Sequence, residues 1–386
     1  MHIVVIGAGA FGGWTALQLL RGGAQVTLID AWGPGNSKAS SGGETRIIRS
    51  IYGDDWISLR FAQRSLQIWK EHEQRWNTRL YHRTGALFLG GRKDEFLEAS
   101  KRSLRQEGVS FEELSLTEAR QRFPQINFAG IESVLYEEDA GYLTARENCR
   151  TVVQHFVEEG GQFEINAVGP QFLTGDLSSL PLADSSVLHA DGYVFACGPW
   201  LGELFPDVLG SLLRPSKQDV IFVAPSYGDR RFAAPLLPCW ADRTSEEKFY
   251  GIPDVQNRGF KIASDLRGRT FDPNTTDRFI DPQSWTKAQE FLRFRFPALA
   301  DAHATETRVC QYENTPDLAL LVDRHPAAKN VFLVGGGSGH GYKHGPAIGE
   351  YVADVVLRTR QIEPAWSLSR FKDGTLPQGK LRQASI

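Results

Sequence analysis

Apolar and polar positions along this chain alternate between two rhythms, a continuous apolar run and an apolar stripe at helical spacing. His2–Ile6 is an apolar, β-branched run, the pattern of a strand buried on both faces of a parallel sheet. Glycines interrupt it, and Trp14, Leu17 and Leu20 then recur on one helical face until Gly22-Gly23 stops the helix. A second run, Gln25–Ile29, ends at Asp30. After a loop rich in Gly, Ser and Pro to about Glu44, T45-R-I-I-R49 leads into an amphipathic helix over about 54–76, with Leu59, Ala62, Leu66 and Trp69 inward. A strand at 85–89 and a polar helix over about 93–107 follow. Thr144-x-x-Glu147 reads as a capping box opening a helix that buries Cys149, Val152, Val153 and Phe156. Gly160-Gly161 ends that helix, and 162–167 reads as a strand.

Two further apolar runs, Tyr193–Ala196 and Val331–Val334, lead into C197-G-P-W200 and G335-G-G-S-G-H-G-Y-K343. Both end in glycine turns, as strands of a nucleotide-binding sheet do. Between them, about 215–310 is broken, proline-bearing and aromatic, which predicts an antiparallel or mixed sheet in a second domain. The pattern is α/β combined with α+β: a discontinuous Rossmann-like domain over 1–86, 145–214 and 311–372, and a second domain over 87–144 and 215–310. A loose, polar tail is expected over 373–386.

Composition narrows the function little. At 386 residues the chain can bury a large core, and 41% hydrophobic with 23% charged residues is ordinary for a globular protein. A net charge of -3 favours neither nucleic acid nor an anionic membrane. No run is long and apolar enough to span a bilayer, and the first strand begins at residue 2, so a soluble cytoplasmic protein is expected, acting as a monomer. The four cysteines lack C-x-x-C spacing, and glycines around His340 and His344 argue against a helical metal face, so no metal site is expected.

The chemistry begins at the first turn. Gly7, Gly9 and Gly12 form G-x-G-x-x-G between strand and helix: one glycine for the turn, one for approach of a pyrophosphate, one for helix packing. Asp30 follows at the end of the second strand, where a carboxylate accepts hydrogen bonds from a ribose and repels a 2′-phosphate. Together these predict an adenine-dinucleotide site. Arg46 and Arg49 lie beside that site, and arginine offers a bidentate fork for a carboxylate. Lys343 closes a glycine-rich loop, which brings a cation close to a ligand.

These segments together resemble the sarcosine oxidase group of FAD-dependent amine oxidases, within the D-amino-acid-oxidase-like superfamily. The likeness spans nearly the whole chain and rests on G7-A-G-A-F-G12, G43-E-T-R-I-I-R49 with Tyr52, Y250-G-I-P, G259-F-K261, C310-Q-Y with T315-P-D317, and S338-G-H-G-Y-K343. The resemblance implies that FAD is held by Gly7, Gly9, Ala10, Phe11, Gly12, Asp30, Arg46, Ile47, Val168, Gly198, Trp200, Cys310, Ser338, Gly339, His340, Gly341, Tyr342 and Lys343. It makes Cys310 the residue that carries the flavin through a thioether. It puts Arg49 and Lys343 at the substrate carboxylate, Lys261 at the dioxygen-activating position, and Tyr52 and Tyr250 around the substrate.

The chain departs from the group at two positions. Gly42 stands where the group carries a histidine, and Asp265, four residues after Lys261, replaces another. Asp265 could meet a cationic amine or face solvent. The expected activity is oxidation of the C–N bond of an amino acid, N-substituted or cyclic, to an imine, with dioxygen reduced to hydrogen peroxide. The alternatives are a dehydrogenase of the same superfamily that passes electrons to a quinone or carrier, and a flavin tailoring oxidase of secondary metabolism.

Overall fold

The structure is a computed structural model and describes residues 1–371; the expected tail over 373–386 lies outside them. Continuous apolar runs become the centre of a six-stranded sheet. Its order is Leu321–His325, Ala328–Gly335, Gly192–Phe195, His2–Ile6, Gln25–Asp30 and Gln162–Ile165. All neighbours are parallel except Leu321–His325, which runs antiparallel to Ala328–Gly335. Val4 sits opposite Tyr193 on one side and Thr27 on the other, and Tyr193 opposite Val331, so strands far apart in sequence end at one edge. Helix Ala10–Arg21 covers this sheet together with Ala145–Glu158 and Gly345–Val356. Trp14, Leu17, Val152 and Ile348 are buried between them. Helix Trp56–Trp76 packs on Gly345–Val356 and buries Leu59, Ala62, Leu66 and Trp69.

The second sheet has eight strands in the order Ala304–Asn314, Arg214–Val223, Phe260–Ser264, Phe249–Ile252, Cys239–Asp242, Ala86–Gly90, Ser133–Glu137 and Glu112–Glu113. Neighbours are antiparallel except Cys239–Asp242 beside Ala86–Gly90. That parallel pair joins the two sequence segments of the sheet. Helix Pro282–Arg295 covers one face, with its Phe291 and the following Phe296 packed on Trp240, and Phe296 also on Phe260. There the fully buried Arg295 pairs with Asp242 at 2.6 Å. A three-stranded sheet of Thr45–Ile48, Gly141–Thr144 and Tyr81–Arg83 lies beside these two.

Three local expectations need correction. Strand Ala304–Asn314 crosses the boundary drawn at 310/311, because ladder pairing with Arg214–Val223 continues to Asn314 opposite Arg214. Gly141–Thr144, assigned to the second domain, pairs instead with Thr45–Ile48 and Tyr81–Arg83. Thr144 precedes a helix but does not cap it by its side chain: its hydroxyl donates to Asn148 Oδ1 at 2.8 Å. The first N–H groups of that helix, on Ala145 and Arg146, are taken by the carbonyls of Glu44 and Gly43. Tertiary backbone contacts thus replace the local cap. Among the described residues, no helix is long and apolar enough to cross a membrane.

Candidate functional site

The glycine turn after His2–Ile6 opens onto a cavity of about 410 Å³. Its wall collects Gly7, Gly9, Ala10, Phe11, Asp30, Arg46, Val168, Gly198, Trp200, Cys310, Gly339, Gly341 and Tyr342, from segments spread over the whole chain. Helix Ala10–Arg21 starts at Gly9 with no side-chain cap of its own, so its N-terminal N–H groups face a site suited to an anion. Gly12 lies behind the wall. A Cβ there would stand 1.8 Å from the Gly7 carbonyl oxygen, so glycine alone permits the close contact of helix and turn. Asp30 accepts the Ala8 N–H at 2.8 Å and the Trp32 N–H at 2.9 Å. Burial raises its pKa, and those N–H groups oppose the rise. The residues fit an adenine dinucleotide: a glycine turn and a helix N-terminus for a pyrophosphate, although Ser41 Oγ takes the Ala10 N–H at 3.1 Å, and a carboxylate at the strand end for a ribose.

Four expected cofactor residues besides Gly12 are not on this wall. Ile47, His340 and Lys343 line a smaller adjoining cavity of about 50 Å³, and Ser338 is buried behind the loop, its hydroxyl donating to the Gly336 carbonyl at 3.1 Å. The smaller cavity is also lined by Arg49, Tyr250, Lys261, Asp265 and Tyr312, and shares Arg46, Gly339 and Tyr342 with the larger. It lies where the strand Thr45–Ile48, the strands Phe249–Ile252 and Phe260–Ser264, and the 335–343 loop meet.

Positive charge dominates this small space. Arg49 is buried, donates to the Ile51 carbonyl and lies 4.1 Å from the centre of the Tyr52 ring. Burial lowers its pKa. Lys343 is buried and donates to Tyr52 Oη at 3.1 Å and to the His340 carbonyl at 3.2 Å. Burial, then Arg49, push its pKa well below the ordinary value. Tyr52 thus stands between the two cations, and its hydroxyl also bonds His344 Nε2 at 2.6 Å. Lys261 is buried with Nζ 3.0 Å from the Thr45 carbonyl, and burial, then Arg46, push its pKa down to about 7. Among the described residues, none of Arg46, Arg49, Lys261 and Lys343 forms an ion pair with a carboxylate. Three buried basic side chains, Arg49, Lys261 and Lys343, and the half-buried Arg46, none of them ion-paired, make a site for an anion.

Asp265 is buried beside them, which excludes the solvent-facing alternative. Arg267 donates to its carboxylate at 3.4 Å and to the Ser338 carbonyl at 2.7 Å, tying the strand end to the glycine loop. Burial nevertheless raises the Asp265 pKa. The other departure is steric: a Cβ at Gly42 would lie 1.8 Å from the Asn36 carbonyl oxygen, so this loop has no room for a side chain. Cys310 Sγ accepts a hydrogen bond from Arg46 Nη2 at 3.3 Å on the wall of the larger cavity. Burial raises the Cys197 thiol well above its ordinary pKa.

Sequence reasoning missed Tyr312, which lines both cavities with its hydroxyl 3.5 Å from that of Tyr250, and also Glu313, His344 and Arg267. Tyr312 is the last residue of the C310-Q-Y motif and Glu313 follows it, and period-two alternation from Cys310 along that strand could have flagged Tyr312. The roles of His344 and Arg267 depend on long-range contacts and leave no local signal.

Comparison with known proteins agrees with this architecture. The model of the family described as "DAO: FAD dependent oxidoreductase" matches residues 2–355. The chain is 26% identical over 362 residues to a monomeric sarcosine oxidase of a Bacillus species, covering 92% of each chain. It is 28% identical over 384 residues to the peroxisomal sarcosine oxidase of Homo sapiens, covering 97% of this chain and 96% of that one. The crystal structure of an L-proline dehydrogenase from P. horikoshii superposes with a TM-score of 0.84 at 21% identity, covering 97% of this chain and 98% of that chain, a likeness of fold.

Proposed function

The chain belongs to the FAD dependent oxidoreductase family, and from that premise we propose that it oxidises the C–N bond of a small amino acid, N-substituted or cyclic, with dioxygen reduced to hydrogen peroxide. The observation that carries this reading is the pair of buried basic side chains Arg49 and Lys343, both in contact with Tyr52 and neither ion-paired among the described residues, on the wall of a cavity of about 50 Å³ that adjoins the dinucleotide cavity. FAD, when bound in the larger cavity, supplies the two-electron acceptor. Arg49 offers its fork and Lys343 its ammonium to the substrate carboxylate. Binding an anion there offsets the cost of burying both charges. Tyr52 holds Lys343 in position through its hydroxyl, and His344 holds Tyr52.

Tyr250 and Tyr312 close the other side and keep water out. The substrate nitrogen must be neutral, so that its lone pair helps expel hydrogen with its electron pair from the adjacent carbon. The rate therefore rises with pH until the amine is deprotonated. The imine product is hydrolysed by water. Lys261, held by Thr45, offsets negative charge as dioxygen takes up electrons. Cys310 anchors the cofactor covalently, with Arg46 orienting its sulfur. The same reading has the protein act as a cytoplasmic monomer on a free amino acid.

The test is peroxide release from the purified yellow protein over N-methyl, cyclic, D- and L-amino acids, followed by stopped-flow kinetics of Lys261→Met. Loss of one preorganised charge costs about 3 kcal/mol, so below about pH 7, where Lys261 holds its proton, reoxidation by dioxygen is expected to slow on the order of a hundredfold with flavin reduction little changed. Substrate-reduced flavin that yields no peroxide but reduces a quinone dye would make the protein a dehydrogenase. Failure of every amino acid to bleach the flavin would overturn the substrate reading.

A further inference from the structure

Asp265 has no part in the chemistry above. It directly follows strand Phe260–Ser264, and period two turns it to the face that carries Lys261. Its backbone is held on both sides: the N–H donates to the Lys248 carbonyl at 3.2 Å, and the carbonyl accepts Arg267 Nη1 at 3.2 Å. Only 4% of the residue is exposed. Oδ2 accepts Arg267 Nη1 at 3.4 Å, whereas Oδ1 takes no hydrogen bond among the described residues and keeps accessible surface. Asp265 lines the cavity of about 50 Å³, while its neighbours Ser264, Leu266 and Arg267 line a separate one beside helix Pro282–Arg295. The free oxygen therefore faces the small cavity. Among the described residues on that wall, Asp265 is the single carboxylate.

The wall thus carries both signs of charge. Asp265 lies near enough to Arg49 and to Lys343 to favour their charged forms, yet among the described residues it pairs with neither. A zwitterionic α-amino acid has the matching pattern, a carboxylate and an ammonium one carbon apart. Without Asp265 that ammonium would meet only the like charges of Arg46, Arg49, Lys261 and Lys343. Resting on the reading that Arg49 and Lys343 hold the substrate carboxylate, we propose that the substrate binds as its zwitterion, with the ammonium on Asp265, and that Asp265 is the base that takes the ammonium proton. An N–H bond breaks as an O–H bond forms on the carboxylate, and neither group is oxidised or reduced. The nitrogen keeps the lone pair that the reaction needs. The proton passes to water when the product leaves.

The other ionisable groups around the cavity are poorer acceptors. Tyr250 in Phe249–Ile252, Tyr312 in Ala304–Asn314 and Tyr342 in the glycine loop are buried and hold their protons more tightly than free tyrosine. Burial, then Lys343, push His340 down to about 3. Arg46 and Arg49 have no lone pair to offer. Lys261 is engaged with Thr45, and Lys343 with Tyr52. Burial raises the Asp265 carboxyl, which makes it a stronger base than a free aspartate. Arg267, Arg49, Lys248 and Lys343 oppose that rise and favour its ionised form.

The experiment compares two ligands of similar size, glycine and propanoate, which share the carboxylate and differ in the ammonium. Binding to the flavin-loaded protein is read at pH 7 from the rapid change in flavin absorbance on mixing. The parent is expected to hold glycine about tenfold or more tighter than propanoate. Asp265→Asn is expected to lose that preference, since the charges left on the wall among the described residues are all cationic. Flavin reduction by the amino acid that gives most peroxide is then followed from pH 6 to pH 10. Asp265→Asn is expected to slow it on the order of a hundredfold at pH 7, with recovery as the free amine loses its proton. A parent that does not prefer glycine would overturn the proposal, and so would an Asp265→Asn protein that keeps the parent's preference or pH profile. If Asp265→Asn does not fold, the preference of the parent decides alone. Propanoate that binds Arg49→Ala as tightly as the parent would instead overturn the carboxylate reading on which the proposal rests.

Discussion

Replacing Lys261 by Met removes a buried ammonium and leaves an unbranched apolar side chain of similar reach. Lys261 is 3% exposed and, among the described residues, bonds only the Thr45 carbonyl and hydroxyl. Burial, then the neighbouring Arg46, lower its pKa from 10.5 to about 7. Between those values the unfolded chain holds a proton that the native state has released. Native stability therefore rises with pH across this window, and below pH 7 the whole cost is in place. At 1.36 kcal/mol per tenfold change in proton affinity, the cost reaches about 5 kcal/mol. Met leaves the Thr45 carbonyl without its donor, a loss of about 1–3 kcal/mol that does not vary with pH. Lys261→Met is thus expected to be about 2–4 kcal/mol more stable than the parent near pH 6, and to lose that advantage by about pH 10.5. The measurement is the difference in unfolding midpoint between the two holoproteins, followed by circular dichroism from pH 6 to pH 10. Groups elsewhere that titrate in this range cancel in the difference. A gap that does not change with pH would refute the reasoning, since only the ammonium contributes a slope.

Arg49→Ala is expected to lower kcat/KM for free amino acids by about thirtyfold to several-thousandfold, the equivalent of about 2–5 kcal/mol, and to affect the matching amides little. Equal losses would move carboxylate recognition elsewhere. Acid precipitation of the parent protein should leave a yellow pellet, whereas Cys310→Ala should release its flavin or bind none; a colourless parent pellet would refute the covalent link. Asp242→Ala strands the buried Arg295 guanidinium and is expected to cost about 3–5 kcal/mol in denaturant unfolding. An unchanged midpoint would mean that the Asn127 and Ala129 carbonyls, which also accept from Arg295, suffice alone.

Residues close together in the chain were readable before any coordinates. Strand, glycine turn, helix and strand over residues 1–30 follow from apolar runs, helical spacing and turn chemistry, which are local properties, and the structure has each of them. The same holds for the buried face of Trp56–Trp76 and for the runs that became Gly192–Phe195 and Ala328–Gly335. Family motifs extended this reach to residues such as Arg49, Lys261 and Lys343, which the fold brings to one small cavity although they lie far apart in sequence.

Tertiary structure alone decided the rest. The Thr144 capping box failed because carbonyls of residues 43 and 44 reached the helix first, a contact that no local pattern encodes. The boundary at 310/311 failed because ladder pairing with a distant strand, and not composition, ends the strand at Asn314. Asp265 became a buried group only when Arg267 tied its strand to the glycine loop. Sequence determines which side chains can carry charge. Packing determines which of them lose their water without gaining an ion pair, and that loss makes Arg49, Lys261, Lys343 and Glu313 chemically distinct from the other charged residues of the same types.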